Sequence, residues 1–195
     1  LGKVRNRSLL EFWAQYEQKS PGQQANAVGP VMTRLRQFLL RPGVRAVLEQ
    51  TTPAFRLEEL FTKRRILIVS LNKGLLGIQT ASLLGSLVVA QLWQLILARS
   101  AVPKDTRAPV SIYIDEAQNF LHLGDLAEAL EQSRSLGAAW HLAHQHRSQM
   151  PPKLLEAIDA NARNKIIFGL EDAEAKTAAR ITGLDAEDFT RLPPY

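Results

Sequence analysis

Apolar positions in the first third of the chain recur at helical spacing. Leu9, Phe12, Trp13 and Tyr16 fall on one helical face, and Ser8 followed by Glu11 has the form of a capping box. Ser20-Pro21-Gly22 stops that helix. A second series, Val31, Leu35, Phe38 and Leu39, breaks at Arg41-Pro42-Gly43, and Val44, Val47 and Leu48 predict one more short helix. Residues 1–55 therefore read as a helical segment. From Arg65 onward short apolar runs alternate with longer helical patterns, as in a parallel sheet with crossover helices. Strands are expected at 66–71, 110–114, 139–143 and 165–169, and helices at about 78–99, 123–136, 152–160 and 172–182. Continuous apolar runs such as Ile66-Leu67-Ile68-Val69 suit strands buried on both faces. The expectation for residues 56–195 is an α/β fold.

Composition narrows this picture. With 195 residues, 46% of them hydrophobic, the chain can bury one substantial core with a small helical appendage. The absence of cysteine excludes disulfides, thiolate metal sites and cysteine nucleophiles, and fits a reducing compartment. The most apolar stretch, 83–98, is shorter than the ~20 residues of a membrane span and contains Gln91 and Gln94, so it reads as a buried helix in a soluble segment. No secretory pattern opens the chain. It begins at Leu1 and stops after Leu192-Pro193-Pro194-Tyr195, which suggests a piece of a longer protein whose membrane anchor, if any, lies elsewhere. A net charge of +5 permits a polyanionic partner without requiring one.

Candidate chemistry concentrates at strand ends, where open α/β sheets bind ligands. Val110-Ser111-Ile112-Tyr113-Ile114 ends in Asp115-Glu116. In a nucleoside triphosphatase the first acid holds Mg²⁺ and the neighbouring acid polarises the attacking water. The same two carboxylates can also serve simply to start a helix. Gln145 follows the next strand, where its amide can sense a γ-phosphate or the attacking water; it can equally be a polar loop residue. Arg134 ends the intervening helix and can act on a neighbouring subunit's nucleotide, or complement the helix dipole. Arg163 and Lys165 are secondary phosphate or interface candidates, and Lys63-Arg64-Arg65 a secondary cluster for nucleic-acid backbones; solvated charge explains each as well. Histidines 141, 144 and 146 lack an acid that completes a compact ligand set. No G-x-x-x-x-G-K-[ST] run occurs, and Asn72-Lys73-Gly74 lacks its spacing and hydroxyl. The chain alone is therefore expected to bind nucleotide poorly and hydrolyse none.

These features stand in a recognisable order. Leu71-Asn72-Lys73-Gly74-Leu75-Leu76-Gly77, the helix from Leu83 through Trp93, Ile112 to Phe120 around Asp115-Glu116, Ser133-Arg134-Ser135-Leu136-Gly137, Ala143-His144-Gln145-His146, and Asn161 to Phe168 together resemble the TraG/TraD-like coupling proteins of type IV secretion and conjugation, over about residues 34–182. That resemblance implies a RecA-like three-layer motor core of the HerA/FtsK superfamily, with a mainly parallel sheet, preceded here by the end of an all-α insertion. It implies an ATPase that uses ATP and Mg²⁺ to move DNA, or protein with DNA, toward a secretion channel. It further implies a hexamer at the cytoplasmic face of the inner membrane, with relaxosome or secretion-channel proteins as partners. By the same likeness Asp115 and Glu116 match the Walker B pair, Gln145 the sensor glutamine, and Arg134 the arginine given to the adjacent subunit. A HerA- or FtsK-like DNA-processing translocase, and a non-catalytic docking module for secretion substrate or relaxosome proteins, remain alternatives. A DNA-binding regulator fits less well, because basic residues are scattered and no recognition motif occurs.

Overall fold

The computed structural model describes residues 6–120 and 125–193, without the side chains of Ser8, Gln37, Phe38 and Asp125. In chain order its helices are α1 (Arg7–Glu17), α2 (Pro21–Leu39), α3 (Pro42–Leu48), α4 (Glu59–Thr62), α5 (Lys73–Leu76), α6 (Ile78–Ala98), α7 (Asp125–Gln132), α8 (Pro152–Asn161), α9 (Asp172–Thr182) and α10 (Ala186–Thr190). The strands are β1 (Val110–Ile114) and β2 (Ala138–Leu142). Two compact units result: residues up to Pro53 with Lys73–Thr80, and Ala54–Asn72 with Ala81 onward.

The first unit is helical. α1 begins at Arg7, inside which Ser8 would sit; the capping box expected there lies outside the described side chains. Ser20 both follows α1 and opens α2: its N–H donates to Gln23 Oε1 at 3.1 Å, the Gln23 N–H returns to Ser20 Oγ at 3.4 Å, and Pro21 supplies a pre-set first-turn φ. Arg41 ties the unit together, donating from Nη1 to the Leu76 carbonyl at 2.9 Å and to the Thr80 hydroxyl. Phe12, Trp13 and Tyr16 form the aromatic face read from the sequence, with Trp13 edge-on to both neighbours. Apolar side chains of this unit are nevertheless uncovered: Phe12, Val31, Val47 and, between α2 and α3, Leu40 are all more than half exposed, whereas Val44 is fully buried.

The second unit is α/β and mainly helical. β1 and β2 pair in parallel, with Ile112 opposite Trp140 and Ile114 opposite Leu142, joined by the crossover through α7. Ile112, Ile114, Ala138, Trp140 and Leu142 turn toward a core that also takes Trp93, Ile96, Leu126, Ala129, Met150, Leu154 and Ile158. Each large apolar side chain fully buried there contributes about 1.5–3 kcal/mol. A smaller cluster forms where Ala175 and Ala178 of α9 meet Phe189 of α10, with Ile167 and Leu170 beside them. α9 has the boundaries its pattern predicts, with acidic residues in its first turn, Arg180 in its last, and Gly183 at φ 78° closing it. α8 extends to Asn161, and α7 is shorter than expected, giving way at Ser133 to a turn. The residues proposed to begin α7, before Asp125, lie outside the described residues.

Two expected strands do not form. Residues 64–72 and 162–171 carry no regular element, and the sheet has two strands rather than four. The four-strand, three-layer RecA-like core is thus not present among the described residues. The reason is visible in exposure: Ile66 and Ile68 are 91% and 87% exposed, Ile166 is 87% exposed, and Tyr113 on β1 is 74% exposed. The apolar run of a strand is there, but a strand forms only where its backbone makes a ladder with another, and these runs join no ladder among the described residues. One face of the β1–β2 pair is likewise open, with Tyr113 stacked on its register partner His141 at 4.2 Å between ring centroids.

α6 has the bounds its pattern predicts to within one residue. Its 21 residues, with the turn that follows, are long and apolar enough to cross a membrane. Ala81, Leu84, Trp93 and Ile96 are buried, while Gln91 and Gln94, together with Leu83 and Leu87, are exposed.

Candidate functional site

The carboxyl ends of the two parallel strands carry the site. β1 delivers Asp115 and Glu116, and β2 runs through Ala143 and His144 to Gln145. The two loops are stitched immediately beyond the sheet: Ala143 N–H donates to the Ile114 carbonyl and Ala117 N–H to the Ala143 carbonyl, both at 2.9 Å. In a continuing strand Asp115 and Glu116 would point to opposite faces. Instead Glu116 adopts φ 51°, ψ 45°, and the chain turns sharply there. For a side chain larger than glycine this left-handed conformation costs about 1–2 kcal/mol.

The surrounding bonds hold that turn. Asp115 Oδ1 accepts the Glu116 N–H at 2.9 Å, and the Glu116 carbonyl accepts both the Asn119 N–H at 2.9 Å and its Nδ2 at 3.0 Å. The Glu116 carboxylate is gripped on both oxygens. Gln145 Nε2 donates to Oε1 at 2.7 Å and Gln118 Nε2 to Oε2 at 2.8 Å. Hydrogen bonds to a charged group are worth about 1.5–3 kcal/mol each, at the low end where, as at Gln145, the donor is exposed. The pair therefore offsets the backbone cost. A carboxylate only accepts, so both amides must present nitrogen to it. Gln118 Oε1 then faces inward, buried and without a hydrogen-bond partner among the described residues.

Helix α6 seats the loop from below. Ser82 Oγ donates to the Asn119 carbonyl and Ser86 Oγ to the Phe120 carbonyl at 2.9 Å. Between them lies Gly85, where a Cβ would stand 2.3 Å from Phe120 Cδ1. Only a residue without a side chain admits the ring so close. Asp115 itself is exposed, and one of its oxygens has no partner among the described residues. A hard carboxylate oxygen so placed at a strand end suits one contact to Mg²⁺.

Of the residues singled out in the sequence, Asp115, Glu116 and Gln145 come together. Arg134 does not join them. It lies exposed in the turn before β2, at the amino end of the strand whose other end carries Gln145, and roughly 17 Å of strand intervenes. That turn is firmly held: Arg107 donates from Nη1 to the Ser135 carbonyl at 2.8 Å, and Arg99 from Nη1 to the Gly137 carbonyl at 3.4 Å and from Nη2 to the Ala108 carbonyl. Burial and the nearby Arg107 lower the Arg99 pKa. Arg163 is exposed, and Lys165 Nζ turns back to the Ala162 carbonyl. In the basic cluster Lys63 and Arg65 share Glu59, at 3.2 and 2.7 Å, while exposed Arg64 makes no ion pair among the described residues.

The histidines separate. His141 stacks on Tyr113, His146 Nδ1 lies 3.4 Å from Glu174 Oε1, and half-buried His144 has an Nδ1 with no described partner. Desolvation, and then the Arg147 charge, push the His144 pKa down; Glu174 and Asp159 oppose this and His146 adds to it. The sequence does not single out Gln118, Asn119, Ser82, Gly85 or Ser86 as site residues. The one signal available for Gln118 was a polar residue two positions after a strand-end acid.

In a comparison with known protein families, residues 109–187 fit the family model described as the TraM recognition site of TraD and TraG. The matched stretch starts just before β1 and ends in α10, so it contains Asp115, Glu116, Gln118, Arg134, Gln145, Arg163 and Lys165 and leaves out Lys63 to Arg65. Neither the comparison with curated proteins nor that with solved structures finds a match.

Proposed function

We propose that this chain, whose residues 109–187 match the family model described as the TraM recognition site of TraD and TraG, is part of a TraG/TraD-like conjugative coupling protein, an ATP-driven translocase that delivers DNA, or protein with DNA, to a secretion channel. One observation carries the reading: Glu116 and Gln145, at the ends of adjacent parallel strands, share a 2.7 Å hydrogen bond. A water-activating carboxylate and a phosphate-sensing amide need this proximity to answer to the same γ-phosphate.

In this reading Asp115 holds Mg²⁺, which when bound supplies positive charge to the phosphate oxygens. Glu116 orients the attacking water and accepts its proton. Gln145, bonded to Glu116, exchanges that partner for the water or the γ-phosphate and so couples hydrolysis to the β2 loop. Arg134, at the far end of the sheet, serves a neighbouring subunit's nucleotide, which calls for a ring, in keeping with a hexamer. The open face of the β1–β2 pair and the exposed apolar runs at Ile66, Ile68 and Ile166 support a RecA-like core whose remaining layers and phosphate-binding loop come from polypeptide beyond these residues. Its site of action would be the cytoplasmic face of the inner membrane.

The test is Glu116→Gln in the full-length protein. ATP binding should survive, while DNA-stimulated hydrolysis and DNA transfer fall to background; wild-type turnover would refute the reading. A second reading rests on the description of the matched family: residues 109–187 dock a TraM-like relaxosome protein. The two are compatible. If docking is the whole function, Glu116→Gln leaves transfer intact and only surface substitutions that release the relaxosome protein abolish it.

A further inference from the structure

Among the described residues the Glu116 carboxylate has two side-chain donors, and the proposed catalytic scheme uses only one of them. Gln145 sits on the neighbouring strand loop, is exposed, and is free to change partner during turnover. Gln118 differs in every respect. It belongs to the same short turn as Glu116, its side chain is half-buried, and its Nε2 reaches Glu116 Oε2 at 2.8 Å. The turn that carries it is fixed at its end by the Ser82 and Ser86 hydroxyls on the Asn119 and Phe120 carbonyls.

We propose that Gln118 is a positioning residue: it holds one oxygen of Glu116 against a rigid turn, so that the other oxygen stays aimed at the reacting water when Gln145 lets go. This rests on the ATPase reading above. The chemistry follows from the bond inventory. With Gln145 alone the carboxylate would rotate about its last torsion, which has a broad, roughly two-fold profile. A second donor on the opposite oxygen, from within the same turn, removes that freedom, and loss of such orientation lowers rate without lowering affinity.

The experiment compares Gln118→Met and Glu116→Gln in the full-length protein, measuring DNA-stimulated kcat, KM for ATP and affinity for a non-hydrolysable ATP analogue. Met keeps the volume and removes the donor. Gln118→Met is expected to lower kcat about tenfold or more, the loss expected from one hydrogen bond to a charged group, with KM and analogue affinity unchanged. Glu116→Gln should abolish turnover. If Gln118→Met turns over like wild type while Glu116→Gln is dead, the positioning role is wrong and the ATPase reading stands. If Glu116→Gln is active, the ATPase reading falls first. A fall in kcat accompanied by loss of analogue binding would mean a merely structural role and would overturn the proposal. Should Gln118→Met fail to fold, side-chain amide NMR of this chain decides: Glu116→Ala must shift the Gln118 NH₂ resonances, and unmoved resonances would overturn it.

Discussion

Replacing Gly85 by alanine sets two physical effects against each other at one position. In a helix interior alanine is favoured over glycine by about 0.8–1 kcal/mol. At Gly85 the added Cβ would meet Phe120 Cδ1 at 2.3 Å, and Phe120 Cε1 and Leu71 Cδ1 at 2.8 Å. Carbon atoms prefer about 3.5–4.0 Å, so the encroachment exceeds 1 Å. The tip of Leu71 can rotate away. Phe120 is less free, since its N–H donates to the Ala117 carbonyl at 3.1 Å, its carbonyl accepts Ser86 Oγ at 2.9 Å, and its ring packs on the core. Overpacking of this kind costs about 1–3 kcal/mol, so the net expectation is a loss of about 1 kcal/mol. Urea unfolding reads it out through Trp93 and Trp140, which belong to the second unit, in a Trp13→Phe background that silences the first. With an m-value of about 2 kcal/mol/M, the midpoint should fall by roughly 0.5 M at unchanged slope. Gln91→Ala, on the exposed side of the same helix, should move it by less than about 0.3 M. A midpoint that rises in Gly85→Ala would mean helix propensity rules, and would refute the seating of the Phe120 loop on α6.

Two other substitutions test the supports of the site. Arg99→Met removes the donor to the half-buried Gly137 and Ala108 carbonyls, of which Gly137 keeps the Val110 N–H at 3.0 Å, and a cation lying 5.4 Å above the Phe61 ring; the loss should be about 1–3 kcal/mol by urea unfolding, and one under about 0.5 kcal/mol would contradict a supporting role for Arg99. His144 gives a pH dependence: its folded pKa is pushed below the usual 6.5, first by desolvation and then by Arg147. The unfolded chain therefore binds the proton more readily, so stability should fall as pH drops below about 6.5 toward the depressed folded value. His144→Phe should flatten that fall between pH 7.5 and 5.5 in urea midpoints, and an equal loss in both proteins would remove His144 as its cause.

Local pattern determined much of this protein. The helical spacing of Leu9, Phe12, Trp13 and Tyr16, the boundaries of α9, and the run Val110 to Ile114 ending in two acids all depend on residues close in sequence, and each is legible without a partner. The same logic pointed to Asp115, Glu116 and Gln145, because an apolar run followed by a polar residue marks a strand end whatever the strand pairs with. Tertiary structure decided what pairing and approach require. The 66–71 and 165–169 runs have the continuous apolar character of buried strands but no ladder, since a backbone hydrogen bond needs a second backbone that no local pattern supplies. Arg134 reads as the end of the helix that follows Asp115-Glu116, and only the parallel crossover places it at the opposite end of the sheet from Glu116. Gln118 and Gly85 gain their meaning only when the left-handed turn at Glu116 swings the Gln118 amide onto the carboxylate and drops Phe120 onto α6. Sequence period fixes which way a side chain faces within its own element; which atoms it meets is settled when elements distant along the chain pack.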